Sequence, residues 1–216
     1  MKKIRILNLY AGIGGNRKLW GDEYEITAVE NDPATAAEYR RLFPSDIVIV
    51  GDAHQYLLDH FREFDIIWSS PPCPTHSRIN HAKTRKPDYA DMKLYQEIIF
   101  LNHWFDGKFI VENVIPFYEP LMKAQEVDRH LFWANFKISP FQPKQKAQIR
   151  MQGGTIPFEK IFGFDISQSK IKDKRKALRN CVHPETGKHI LDCALNIAKE
   201  YKINSLFDDS FLILDN

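Results

Sequence analysis

Short apolar runs alternate with stretches of helical period through the first half of the chain. That alternation is the signature of a parallel sheet with helices on both faces. The runs cover residues 4–9, 26–29, 47–50, 65–68 and 109–111. Between them, residues 33–43 open with Pro33 at a first helical position and repeat apolar residues at helical spacing. Residues 53–61 and 89–104 follow the same period. Near-continuous apolar strands of this kind are buried on both sides. The pattern predicts an α/β fold with a doubly wound, mostly parallel sheet. The chain has 216 residues, 44% of them hydrophobic, enough for one core and a small appendage. No run approaches the roughly 20 apolar residues of a membrane span. The basic N-terminus is interrupted by Arg5 and Asn8 before any signal-peptide core forms, so a cytoplasmic location is expected. Cys73, Cys181 and Cys193 form neither an even set nor a C-x-x-C pair, so neither a disulfide framework nor a zinc module is expected.

After Pro116 the pattern weakens. Residues 133–138 and 148–151 read as strands, and Ile190, Ala194, Ile197, Ala198 and Tyr201 fall on one face of a closing helix. The formal net charge is only +2, but residues 137–179 hold eleven Lys/Arg against three acids. That segment carries +8 and the remainder −6, a basic lobe on an acidic body and a footprint suited to phosphate. The chain divides accordingly into a main domain over 1–136, a small basic lobe over 137–176, and a C-terminal helix and tail over 177–216 that return to the main domain.

Three strand ends carry candidate binding groups. The first strand runs into Tyr10-Ala11-Gly12-Ile13-Gly14-Gly15 ahead of an expected helix, where glycines let the backbone turn and approach a ligand. Glu30 closes the second strand, where a carboxylate can accept both hydroxyls of a ribose; Asp52 closes the third, where it can accept from an adenine amino group. Either acid can equally cap the helix that follows it. Carboxyl ends of successive strands are where open α/β sheets bind nucleosides. The fourth strand ends in Ser69-Ser70-Pro71-Pro72-Cys73-Pro74, with Arg78, His81, Lys83, Arg85 and Lys86 close behind. A partly exposed thiol near positive charge is expected to have a lowered pKa and to act as a nucleophile. The fifth strand ends in Glu112-Asn113-Val114, bringing a carboxylic acid to the same rim. A thiol and an acid beside a nucleoside cofactor suit attack on an electron-poor ring that the acid protonates.

In order and spacing these residues resemble the cytosine C5 DNA methyltransferase family. Residues 9–15 resemble its glycine motif, Glu30-Asn31-Asp32 its second-strand acid and Gly51-Asp52-Ala53 its third-strand acid. Pro71-Pro72-Cys73 resembles its catalytic loop, Glu112-Asn113-Val114 its glutamate motif, and Leu178 to Pro184 its late asparagine-valine motif. The resemblance implies a small enzyme of phage or bacterial type that uses S-adenosyl-L-methionine to methylate carbon 5 of cytosine in double-stranded DNA. The base would be flipped from the duplex. Cys73 and Glu112, with Arg150, would be catalytic. Tyr10, Ala11, Gly12, Gly14, Gly15, Glu30, Asn31, Asp52, Ala53, Pro71, Asn180 and Val182 would hold the cofactor. Pro72, Asn113, Arg78, Lys83 and Arg85 would meet the substrate, with no metal and no membrane involved.

The match departs from the family in three places. Pro74 stands where the family has glutamine. The family's Gln-x-Arg-x-Arg motif has only a partial counterpart in Gln148-Ile149-Arg150, with Arg129 as a rival for the same task. Only 27 residues separate Arg150 from Leu178, where the family inserts a long target-recognition region. A segment this short reads few base edges, so a short recognition sequence or weak specificity is expected. Two alternatives stay open from sequence: a cytosine C5 methyltransferase acting on tRNA-like RNA, and a catalytically weak nucleic-acid-binding relative. The cluster Phe132, Trp133 and Phe136 is read as core packing.

Overall fold

The computed structural model describes residues 3–78, 88–145 and 154–197. One sheet contains β1 (Arg5–Leu9), β2 (Glu25–Glu30), β3 (Ile47–Val50), β4 (Ile66–Ser69), β5 (Lys108–Val114), β6 (Gln125–Val127) and β7 (His130–Ala134). Their spatial order is β3-β2-β1-β4-β5-β7-β6. The first five strands are parallel, while β7 runs antiparallel to both β5 and β6. Strand order reverses between β1 and β4, which opens a crevice beyond their carboxyl ends. The helices of the described residues are α1 (Pro33–Leu42), α2 (Ala53–His60), α3 (Lys93–Trp104), α4 (Ile156–Phe162), α5 (Lys174–Arg179) and α6 (Pro184–Ala194).

The two-residue period of the strands sorts the core onto two faces. Leu7, Leu9, Ile67, Phe109 and Val111 pack with Leu57 of α2 and Leu94, Ile98 and Leu101 of α3. The alternate residues Ile6, Ile66, Trp68 and Ile110 pack with Trp20 and with Ile190 and Leu191 of α6. Trp20 is fully buried and its indole N–H donates to the Gly187 carbonyl at 3.1 Å, so its large apolar surface carries no unpaired polar atom. Burying such a side chain stabilises by about 1.5–3 kcal/mol. A third cluster joins Phe158, Phe162, Phe164 and Leu178 to Tyr39 and Phe43 at the end of α1 and to Ile13 of the glycine loop. The segment that contains α4 and α5 is thereby fixed to the main body.

Several expected boundaries move. The strand expected over 133–138 is β7, which begins at His130 and stops at Ala134. The Asn135 side chain ends it by accepting from the Phe109 amide and donating to the Gly107 carbonyl. β6, only three residues long, is too short to show an apolar period and escaped the sequence reading. The helix expected after the glycine loop is only a four-residue 3-10 turn, Asn16–Leu19. Asn16 and Asn8 exchange side-chain hydrogen bonds, and the Gly187 backbone of α6 packs directly on Asn16, which pins the turn against β1. The closing helix ends at Ala194, so Ile197 lies beyond it, exposed. Ala198, Tyr201 and the strand expected over 148–151 lie outside the described residues. Phe132 and Trp133 are buried in the core, as expected.

Candidate active site

Beyond β1 the chain enters the left-handed region at Tyr10 (φ 54°), Gly12 (φ 56°) and Gly14 (φ 80°). Gly14 tolerates no side chain, because a Cβ there would strike the Phe43 and Tyr39 rings. Gly12 instead faces open space, and its amide donates to Glu30 Oε2 at 3.0 Å. The other oxygen of Glu30 accepts from the Asp32 amide at 2.9 Å. Asp32 and Asp52 cap α1 and α2, Asp32 accepting from the Thr35 amide at 2.8 Å and Asp52 from the Gln55 amide at 3.0 Å. The Gln55 amide helps hold the Asp52 carboxylate below its ordinary range. The capping reading of Asp52 is therefore realised, and its second oxygen takes no part in that hydrogen bond.

These ends enclose a cleft of about 250 Å³. Of the expected cofactor residues, Tyr10, Glu30, Asn31, Asp52, Ala53 and Pro71 line it, as does Pro72, which was expected to meet the substrate. His76, Asp91, Lys93 and Leu94 complete the wall and escaped the sequence reading. The late motif does return to the glycine loop: a Cβ on Gly15 would collide with Cys181 and with the Val182 carbonyl. The Val182 side chain itself is buried in the core, and Asn180 is exposed at the end of α5. Behind the cleft, fully buried Glu97 of α3 accepts from Tyr10 Oη at 2.7 Å and Ser69 Oγ at 2.6 Å, and pairs with His54 Nδ1 at 2.9 Å. This residue was also missed. Its signal was a carboxylate on the apolar stripe formed by Leu94, Ile98 and Leu101.

The loop after β4 leaves the sheet as Ser70 donates its amide to the Leu9 carbonyl. The Cys73 carbonyl accepts from the His76 and Ser77 amides, both at 3.0 Å, which closes a tight turn after the cysteine. Asn113 was expected to touch substrate. It is 2% exposed, and its amide nitrogen donates to the Pro71 carbonyl at 3.0 Å. It braces the cysteine loop against β5 instead. His76 is 1% exposed, bonded to Tyr118 Oη at 2.6 Å, and so forms part of the loop's support. Arg78 donates to the Pro116 carbonyl at 3.4 Å. Lys83, Arg85 and Arg150 lie outside the described residues.

The charge state of the thiol corrects the sequence reading. Burial and the Glu112 carboxylate push Cys73 above its ordinary value, with Lys176 and Arg129 only partly opposing them. Glu112, 7% exposed near the end of β5, is pushed up to about 7 by burial, against a hydrogen bond from Ser70 and the charge of Arg129. His130 Nε2 lies 3.6 Å from Glu112 Oε1. Burial lowers that imidazole to about 3, so it stays neutral and the contact is no ion pair. Arg129, in the turn between β6 and β7, donates from Nη2 to the Arg179 and Cys181 carbonyls at 3.1 and 3.2 Å. Among the described residues no cluster of three or more His, Cys, Asp or Glu side chains can hold a metal, and no helix is long and apolar enough to cross a membrane.

A seven-stranded sheet with this order, one antiparallel strand and a cleft at its switch point defines the S-adenosylmethionine-dependent methyltransferase fold. The model of the C-5 cytosine-specific DNA methylase family matches residues 4–121, just over half of the chain, and the chain belongs to that family. Among solved structures it is similar to a DNMT2 mutant of Spodoptera frugiperda, 26% identical over 52% of this chain and 36% of that one, with a TM-score of 0.40. It is also similar to a SAM-dependent methyltransferase of Agrobacterium tumefaciens, 14% identical over 54% and 40% of the two chains, with a TM-score of 0.39. An Escherichia coli prophage protein described as a putative DNA modification methyltransferase is 18% identical over 54% and 34%, with a TM-score of 0.38. The aligned part is thus well under half the length of each of these three proteins. No curated protein matches the chain.

Proposed function

We propose that this protein methylates carbon 5 of cytosine in DNA, with Cys73 as nucleophile and Glu112 as acid. The observation that carries this reading is the juxtaposition of a half-buried thiol and a buried carboxyl at or beyond the ends of neighbouring strands β4 and β5, both pushed up by burial and the thiol also by the Glu112 charge. The cleft suits S-adenosylmethionine: Glu30 and Asp52 stand ready for ribose and adenine, and Gly12 presents bare backbone beside open space. When bound, the cofactor supplies an electrophilic methyl group.

The protein's own groups do the rest. A flipped cytosine meets Cys73 at ring carbon 6 and the Glu112 carboxyl at N3. Attack by sulfur forms the S–C6 bond, and a proton from Glu112 reaches N3, so the ring's electrons gather on carbon 5. The thiol proton replaces the one that Glu112 gives up, so no net charge is created in a buried site. Carbon 5 then takes the methyl group. Loss of its proton to a base expels Cys73, and N3 returns its proton. Arg129, whose charge already acts on both groups, is the arginine that completes the pocket. Asn113 and Ser70 position the loop and the acid.

The test is a random-sequence duplex that carries 5-fluorocytosine, incubated with S-adenosylmethionine and wild-type or Cys73→Ser protein. Fluorine blocks the final elimination, so the wild type is expected to trap a denaturation-resistant adduct that Cys73→Ser does not form. With cofactor binding intact, an adduct on folded RNA alone would move the substrate to RNA. No adduct on either would leave a nucleic-acid-binding relative.

A further inference from the structure

A second cleft, of about 350 Å³, shares no lining residue with the first. Lys18 borders it from the turn beyond the glycine loop, Lys160 from α4, Lys144 from the segment before it, and His183 to Glu185 from the start of α6. The proposed reaction uses none of these side chains. Lys18 is held in place, its ammonium 4.9 Å from the centre of the Phe164 ring, so one cation is preordered at the wall. Pro184 opens α6, an eleven-residue helix, and the positive end of that helix lies at the cleft.

His183 gives the cleft a chemical preference. The residue is 6% exposed, and burial keeps its imidazole neutral. Nδ1 accepts the Glu185 amide at 3.2 Å, which leaves the ring proton on Nε2. Among the described residues Nε2 is buried with no acceptor in hydrogen-bonding geometry, the Gln145 backbone approaching the ring only loosely. A buried donor without an acceptor is destabilising, and a ligand oxygen would relieve it. The one acid of the wall, Glu185, already accepts the Lys144 amide at 2.8 Å, so three lysines and the His183 N–H line the cleft against a single engaged carboxylate.

We propose that this cleft is a phosphate subsite, with His183 Nε2 and the ammonium groups of Lys18, Lys144 and Lys160 as its donors, and that a backbone phosphate of the nucleic-acid substrate occupies it. The choice of a backbone phosphate rests on the function proposed above; the subsite itself does not. Two readouts test the two parts. In the first, the His183 ring signal is followed by NMR, assigned through His183→Gln, as inorganic phosphate replaces chloride at constant ionic strength. The signal is expected to move saturably in the wild type and to stay still in a Lys18→Ala/Lys160→Ala variant. In the second, affinity for random duplex DNA is measured across salt concentrations. Loss of the phosphate contact is expected to weaken binding several-fold and to lower the slope of log K against log salt by about one, with S-adenosylmethionine affinity unchanged. Because Lys18 packs on Phe164, the exposed Lys160→Gln variant is measured alongside as a substitution that leaves the core alone. A wild-type His183 signal blind to phosphate overturns the subsite. A phosphate response with unaltered salt slopes overturns the backbone phosphate as occupant. A phosphate response in a protein that binds no nucleic acid at any salt keeps the subsite and overturns the nucleic-acid reading.

Discussion

The parallel half of the sheet and the β6–β7 hairpin with α4 to α6 contribute to one site in different ways. In the parallel half every proposed functional group sits at or just beyond the end of a strand: Glu30 on β2, Asp52 after β3, Cys73 after β4 and Glu112 on β5. Local rules put them there, because a buried strand must end in a turn and that turn faces the crevice. The second region adds neither the proposed nucleophile nor the proposed acid. It adds charges that partly oppose burial, Arg129 acting on both groups and Lys176 on Cys73, with neutral His130 lying beside Glu112. In the proposed reaction the first region places the reacting atoms, and the second supplies charges that partly offset their burial.

The largest effect expected from breaking this division is at Glu112. Glu112→Gln keeps the shape but removes the transferable proton, and methyl transfer is expected to fall by about 10²–10⁴, while S-adenosylmethionine affinity is retained. Transfer of labelled methyl to duplex DNA, alongside calorimetric cofactor binding, checks it. In the proposed mechanism the acid form of Glu112 is the working form, so the wild-type kcat/KM is expected to decline as pH rises through about 7. A profile flat to pH 9 would contradict a proton-donating Glu112.

The same substitution has an opposite consequence for stability. The Glu112 carboxyl is held near 7 in the folded protein, above its ordinary 4.5. Between those values the folded state keeps a proton that the unfolded chain has lost, so stability falls as pH rises through this window. At one pH unit per 1.36 kcal/mol, the loss is about 3 kcal/mol once pH exceeds 7. Glu112→Gln is therefore expected to be more stable than wild type at pH 8 and no more stable below pH 4, by urea unfolding at both. Loss of activity with gain of stability separates an acid kept at a cost from one that merely packs.

The same division explains what the sequence reveals. Strands β1 to β5 and their terminal acids follow from periodicity, since each β-turn-helix unit is closed within its own stretch of chain. Glu97 did not emerge as a site residue, although it stands on the buried stripe of α3, because its partners Tyr10, His54 and Ser69 come from three other elements. β6 has only three residues, two of them polar, and exists because β7 lies beside it. The thiol pKa was misjudged for a related reason: basic residues close in sequence were counted, whereas burial and Glu112, brought near by the pairing of β4 and β5, dominate.

The choice between the two arginines sharpens the role of the second region. Arg129 is anchored on the Arg179 and Cys181 carbonyls and its charge reaches Cys73 and Glu112. Arg129→Ala is expected to lower kcat about 10- to 100-fold, the scale of one lost charged hydrogen bond, and Arg150→Ala to change affinity for DNA more than kcat. Single-turnover kinetics at saturating DNA distinguish the two. The reverse pattern would mean that the hairpin only scaffolds and that the catalytic arginine comes from the basic lobe.

The smallest expected effect concerns Asp52, which has both a cap and a proposed cofactor contact to account for. Asn caps a helix as well as Asp does, whereas Ala loses about 1 kcal/mol at such a position. Asp52→Asn is thus expected to leave the melting temperature near that of the wild type, and Asp52→Ala to lower it by a few degrees. If the second oxygen of Asp52 accepts from the adenine amino group, both substitutions weaken S-adenosylmethionine binding. Ala removes the acceptor, and Asn replaces a charged acceptor by a neutral one. A cofactor affinity that follows the melting temperature, unchanged in Asn and reduced only in Ala, would assign Asp52 to α2 alone and leave Glu30 as the carboxylate that orders the nucleoside.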